Sequence, residues 1–204
     1  TFLGGNLTFD IQNTTSTGNR AHGLNLFIAA NTTGVVSGSF INNTVGTLGV
    51  PGSASSLGIG IRVQNEAQSS ATILIEGNTI QETAAATSFQ AINVNHGITS
   101  STLTQTTNVT IRNNTITNIL NSRAIAVQIN NNVGAAGTVC ANIVNNNMSG
   151  IVGQAGDGTK IRIRQFPTGT FNVTQLVASA AANPNELDDA NSVGPNITTV
   201  AQIS

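Results

Sequence analysis

The chain has 204 residues, 7% of them charged, and a formal net charge of −1. That balance gives no electrostatic pull toward nucleic acid or an acidic membrane surface, so neither is an expected partner. Trp and Tyr are absent, Phe occurs seven times and Lys only at Lys160, so the interior has to be filled by Ile, Val and Leu, which suits a narrow core.

The lone Cys140 excludes an intramolecular disulfide, and together with two distant histidines, His22 and His96, it cannot complete a zinc site. No stretch reaches the apolar length of a membrane helix, so no membrane insertion is expected. Lacking a signal peptide and an initiator Met, the chain reads as a processed protein or a piece of a longer one. Its nine Asn-x-Ser/Thr triplets are what chance makes in a sequence this rich in Asn and Thr.

Taken from the N-terminus, alternation predicts a first strand near residues 7–11 and a second through Leu24, Leu26 and Ile28. The pair then recurs. First strands are predicted near 36–41, 71–76, 107–112 and 139–144. Second strands carry Ile59, Ile61 and Val63, then Ile92 and Val94, then Ile125, Val127 and Ile129, then Ile161 and Ile163. Taking residues 28, 63, 94, 129 and 163 as equivalent gives steps of 35, 31, 35 and 34.

A six-residue frame after each first strand keeps the same period: Phe40-Ile41-Asn42-Asn43-Thr44-Val45, Ile75-Glu76-Gly77-Asn78-Thr79-Ile80, Ile111-Arg112-Asn113-Asn114-Thr115-Ile116 and Ile143-Val144-Asn145-Asn146-Asn147-Met148. Its fourth position is always Asn, at 43, 78, 114 and 146, in steps of 35, 36 and 32. A unit of 31–36 residues therefore stacks about five times, with a partial sixth starting at Phe171-Asn172-Val173. Helical repeats of similar length are excluded by the two-residue period and the Val/Ile/Thr content.

What remains is an all-β parallel β-helix, in which each strand bonds to its copy one coil later at about 4.8 Å. The handedness rule for parallel crossovers makes it right-handed. The repeated Asn is expected to take the left-handed backbone angles of the turn and to pass side-chain amide bonds from coil to coil. Thr44, Thr79 and Thr115 form a neighbouring row that ends at Asn147.

Residues 1–176 make up this β-helix and 177–204 a C-terminal cap. A short helix read over Thr174 to Ala182 leads into the cap, which continues with an acidic loop over Asn185–Asn191 and a final strand within 198–203.

These repeats resemble the right-handed parallel β-helix superfamily, the pectate-lyase-like fold, over about residues 7–176. The closing run Gly158 to Gln165, with Phe171 to Leu176, is similar to the last coils of long bacterial surface-exported β-helix proteins. If the chain were a lyase, the resemblance would imply a Ca²⁺ site of several carboxylates with a basic residue beside it, and a hydrolase would need two or three Asp at neighbouring strand ends. The eight acids are Asp10, Glu66, Glu76, Glu82, Asp157, Glu186, Asp188 and Asp189, and only Glu76 falls in a central strand. No catalytic residue, metal or cofactor is therefore assigned. Glu76 aligns instead with Arg112 one coil later, as an exposed cross-strand pair.

The outward positions of the second strands are read as Arg62, Asn93, Gln128 and Arg162, with Gln64, Asn95, Asn130 and Arg164 beside them. They would make a flat, solvated polar face and the first place to look for a partner. The expected function is that of an extracellular structural or adhesive module, a stiff rod of a bacterial cell-surface or filament protein. It would present loops, associate end to end with copies of itself, or dock another surface protein or glycan. The alternative is a polysaccharide-binding or polysaccharide-cleaving module.

Overall fold

The computed structural model describes residues 5–30, 32–66, 68–83, 90–97, 106–120, 122–129, 137–152, 160–165, 170–174 and 197–200. In chain order the strands are β1 (Leu7–Gln12), β2 (Thr15–Ser16), β3 (Leu24–Ile28), β4 (Thr33–Ile41), β5 (Thr44–Val45), β6 (Ile61–Asn65), β7 (Gln68–Glu76), β8 (Thr79–Thr83), β9 (Ile92–His96), β10 (Thr106–Arg112), β11 (Thr115–Ile119), β12 (Ile125–Ile129), β13 (Thr138–Val144), β14 (Asn147–Ile151), β15 (Ile161–Gln165), β16 (Thr170–Thr174) and β17 (Ile197–Val200). No helix occurs among the described residues.

From β1 to β16, every third strand returns to the same sheet. The first sheet runs β1-β4-β7-β10-β13-β16-β17, the second β2-β5-β8-β11-β14 and the third β3-β6-β9-β12-β15. All pairings are parallel. The chain is thus an all-β parallel solenoid. About three turns (β4–β6, β7–β9 and β10–β12) have neighbours on both sides in all three sheets, fewer than the five equivalent coils expected, because the outer turns leave sheet edges. The first residue of the predicted cap helix, Thr174, ends strand β16 instead, and the rest of that helix lies outside the described residues. Of the 177–204 cap the structure describes β17, which pairs with β16 in the first sheet.

Strand alternation builds the core. In β7, Ser69, Ala71, Ile73 and Ile75 point inward and are buried, while Gln68, Ser70, Thr72, Leu74 and Glu76 face outward. Ile61, Ile80, Ile92, Ile111, Ile116 and Ile125 are fully buried in the same way, each such burial contributing about 1.5–3 kcal/mol. Among the described residues, one aromatic pair packs together. The Phe9 and Phe40 rings lie 5.3 Å apart at 59°. Gly38 stands opposite Phe9, and a Cβ there would run into the Phe9 ring and backbone oxygen, so the absence of a side chain on one coil makes room for the large one on the coil before.

The third sheet corrects the predicted register. Leu26, Val63, Val94, Val127 and Ile163 form one row, and Ile28, Asn65, His96 and Ile129 the next. Residues 28 and 129 are therefore two places away from the row assigned to them. A shift of two preserves which face is apolar, so alternation alone cannot see it. Asn65 and His96, polar yet inward-facing and fully buried, made β6 and β9 look shorter than they are.

Candidate functional site

The repeated asparagines form one hydrogen-bonded file. Asn78 Oδ1 accepts the Asn43 backbone N–H and side-chain Nδ2–H, both at 2.9 Å. Asn114 Oδ1 takes the same pair from Asn78 at 2.9 and 3.0 Å, and Asn146 Oδ1 the pair from Asn114 at 3.1 and 2.9 Å. The other hydrogen of each amide goes back one coil, from Asn43 to Ile11 O (2.9 Å), Asn78 to Phe40 O (2.9 Å), Asn114 to Ile75 O (3.0 Å) and Asn146 to Ile111 O (3.0 Å). All four carboxamides are buried, and those of Asn43, Asn78 and Asn114 are bonded to the coils on both sides. At the first coil the position is Thr14, which donates only its backbone N–H to Asn43 Oδ1 at 3.0 Å.

The left-handed backbone angles belong to a different residue from the one predicted. Positive φ occurs at Asn13 (52°), Asn42 (53°), Gly77 (65°), Asn113 (56°) and Asn145 (55°), each one place before the ladder. One residue turns the chain and the next carries the hydrogen bonds. Asn suits both tasks, so the doublets Asn42-Asn43, Asn113-Asn114 and Asn145-Asn146 hid the division.

The third sheet's outer face is not the open surface expected. Arg62, Asn93, Ala126 and Arg162 share one row, and Gln64, Asn95, Gln128 and Arg164 the next. Gln128 thus leaves the row assigned to it, and Ala126 takes its place. Asn130 lies outside the described residues. Gln64, Asn93 and Asn95 are only 6%, 4% and 6% exposed, and Arg62, Gln128 and Arg162 are partly exposed. Beside them Glu66 is buried and accepts a short hydrogen bond from Gln64 Nε2. Arg62 Nη1 lies 3.4 Å from His22 Nε2 on the preceding coil, and burial followed by that guanidinium lowers the His22 pKa.

On the inner side of the same sheet, His96 and Asn65 meet β10. His96 Nδ1 lies 2.8 Å from Thr107 Oγ1, which also accepts Asn65 Nδ2–H at 3.1 Å. Asn65 Nδ2 reaches Ser69 O at 2.8 Å as well. Burial drives the His96 pKa down to about 4, with Glu66 opposing weakly, so the ring is neutral at pH 7.

The outer face of the first sheet is an open polar surface. Thr8, Ser37, Thr72, Asn108 and Cys140 share one row there. A shallow cavity of about 170 Å³ lies between β10 and β13, lined by Asn108, Thr110, Cys140 and Asn142 with the backbone between them, and Asn142 Oδ1 is buried without a hydrogen-bond partner. On this face Arg112 Nη2 meets Glu76 Oε2 at 2.8 Å, as the alignment predicts. That hydrogen bond, more than charge alone, holds the Glu76 carboxyl below its usual range.

A loop over residues 46–57 projects three apolar side chains, Leu48, Val50 and Leu57, which are 63%, 50% and 51% exposed. Its backbone is pinned. Thr47 N–H donates to Ser53 Oγ (2.7 Å), Leu57 N–H to Arg20 O (2.8 Å) and Gly49 N–H to Glu82 Oε1 (3.0 Å). Glu82 is buried with φ at 63° and also accepts Asn118 Nδ2–H at 2.7 Å. Read from sequence, Glu82 falls among the acids outside the central strands, and this carboxylate was missed because its equivalents one and two coils on, Asn118 and Gly150, share its positive φ but not its residue type.

Among the described residues no three His, Cys, Asp or Glu side chains gather as metal ligands. Compared with protein-family models, curated proteins and solved structures, the chain matches none.

Proposed function

We propose that this chain is a structural module of an extracellular or cell-surface protein, a stiff rod that presents loops or meets copies of itself end to end. The observation that carries this reading is the buried asparagine file, which ties Thr14, Asn43, Asn78, Asn114 and Asn146 together along the stacking direction, beside three parallel backbone ladders. Pulling such a stack apart along that direction loads many hydrogen bonds at once. The pinned loop with Leu48, Val50 and Leu57 supports the presenting role, because its ordering cost is met before any partner arrives. Extracellular placement rests on the Lys-poor, Thr/Asn/Gly-rich composition.

Single-molecule pulling between the termini is the test. The expected result is a resistant core whose unfolding force falls in Asn78→Ala; the same force in both proteins removes the mechanical reading. Electron microscopy at rising concentration tests the end-to-end part, and compact monomers throughout would remove it.

A polysaccharide-binding role is the second reading, favoured by the cavity between β10 and β13 with its unpaired Asn142 oxygen. A screen against acidic and neutral glycans, with unsaturated-product absorbance as the lyase readout, separates it from the first.

A further inference from the structure

The His22 ring faces two hydrogen-bond donors and can accept from one of them. Ile59 N–H donates to its Nδ1 at 3.2 Å, and Arg62 Nη1 stands 3.4 Å from its Nε2. A neutral imidazole has a single lone pair in its plane. The backbone bond takes that pair at Nδ1, which puts the ring proton on Nε2. Nε2–H then meets a second donor, the Arg62 guanidinium. The other tautomer moves the conflict without removing it, because a proton on Nδ1 would face Ile59 N–H across the shorter of the two contacts.

Two N–H donors and one positive charge therefore lie side by side, and among the described residues no acceptor is hydrogen-bonded to either donor. The neighbours of Arg62 in its row are neutral, Asn25 on β3 and Asn93 on β9. Glu66, four residues on, attracts the guanidinium, but burial outweighs that attraction and lowers the Arg62 pKa. One oxygen of Glu66 is also engaged by Gln64 Nε2. His22 and Arg62 are both partly exposed, so the pair can be reached from solvent. A guanidinium beside an N–H suits the negatively charged oxygens of a carboxylate or a sulfate group. We infer that His22 and Arg62 form a binding site for one such oxyanion group, which accepts from His22 Nε2–H and the Arg62 guanidinium together. Such a site is separate from the mechanical role.

The test uses the full chain labelled with nitrogen-15, with the ring nitrogens of His22 followed by magnetic resonance at pH 7. Sodium acetate or sodium sulfate replaces sodium chloride at constant ionic strength. The expected result is a proton on His22 Nε2 and a saturable shift of that nitrogen as acetate or sulfate is added. Arg62→Gln should weaken the binding by roughly tenfold or more, and Arg62→Lys, which keeps the charge but loses the fork, by less. The tighter of the two salts tells a planar group from a tetrahedral one, and either supports the site. A proton on Nδ1 of His22 overturns the inference, since Nε2 would then accept from Arg62 and no donor there would lack a partner. No saturable shift with either oxyanion also overturns it and means that water bridges the pair. Binding that ignores both substitutions does the same. The tautomer and the titration are read on the parent protein, so they decide the matter even if the variants do not fold.

Discussion

Asn78 Oδ1 receives both the backbone N–H and the side-chain Nδ2–H of Asn43, each at 2.9 Å. One side-chain oxygen thus closes a turn on the neighbouring coil and links the two coils together. Asn78 passes its own Nδ2 hydrogens to Asn114 Oδ1 and Phe40 O.

Asn78→Ala removes all four of these bonds and leaves buried donors on Asn43 and a buried acceptor on Phe40 unpaired. Each orphaned group costs about 1–3 kcal/mol, so the substitution should destabilise the protein by roughly 3 kcal/mol or more. Denaturant midpoints for the variant and parent check this. A loss no larger than that of an exposed substitution such as Thr72→Ala would refute the role given to the file.

Thr14→Asn makes the opposite prediction. The new amide can add the side-chain bond to Asn43 Oδ1 that Thr14 lacks, since its backbone N–H is already 3.0 Å from that oxygen. At this exposed place the gain should be about 0.5–1 kcal/mol, read as a higher unfolding temperature. A lower one would mean that the first coil does not share the geometry of the others.

Acid should weaken the fold through His96. Its pKa is about 4 in the folded protein and 6.5 in the unfolded chain, so between those values the unfolded state binds more protons and stability drops as pH falls. The loss levels off below pH 4 at about 3 kcal/mol. His22, lowered in the same direction by burial and by Arg62, adds to the same slope. Urea denaturation from pH 7 to 4 should show this trend, and His96→Leu should flatten most of it. An unchanged slope in His96→Leu would assign the effect elsewhere.

Glu82 separates backbone strain from hydrogen bonding. Alanine and glycine at this position both release Gly49 N–H and the Asn118 amide, but alanine keeps the cost of φ at 63° while glycine does not. Glu82→Ala should therefore be less stable than Glu82→Gly by about 1 kcal/mol. Both should expose residues 46–57 to proteolysis sooner than the parent. Equal stability of the two variants would show that the backbone relaxes around the substitution.

The parts of this fold that could be read from the sequence are those in which a residue's identity is itself the structural constraint. The Asn at 43, 78, 114 and 146 and the two-residue apolar period of β7 are of that kind, and so is the pairing of Glu76 with Arg112. The register of the third sheet is not, because sliding β12 by two leaves Ile125, Val127 and Ile129 on the same face. Burial of Gln64, Asn93 and Asn95 was equally hidden. Outward position on a strand says which side a residue faces, and what lies over that side is set by chain far away in sequence. The Glu82 contact with Gly49 joins residues 33 apart, and the position it springs from recurs as Asn118 and Gly150, both also at positive φ, with three different residue types that conceal the equivalence.

The asparagine file also has a polarity. Every Oδ1 takes its bonds from the coil before, so the carboxamides point the same way along the stack and polarise one another. Damage to one rung should therefore weaken its neighbours, and the coils should give way together as a cooperative block instead of peeling off singly.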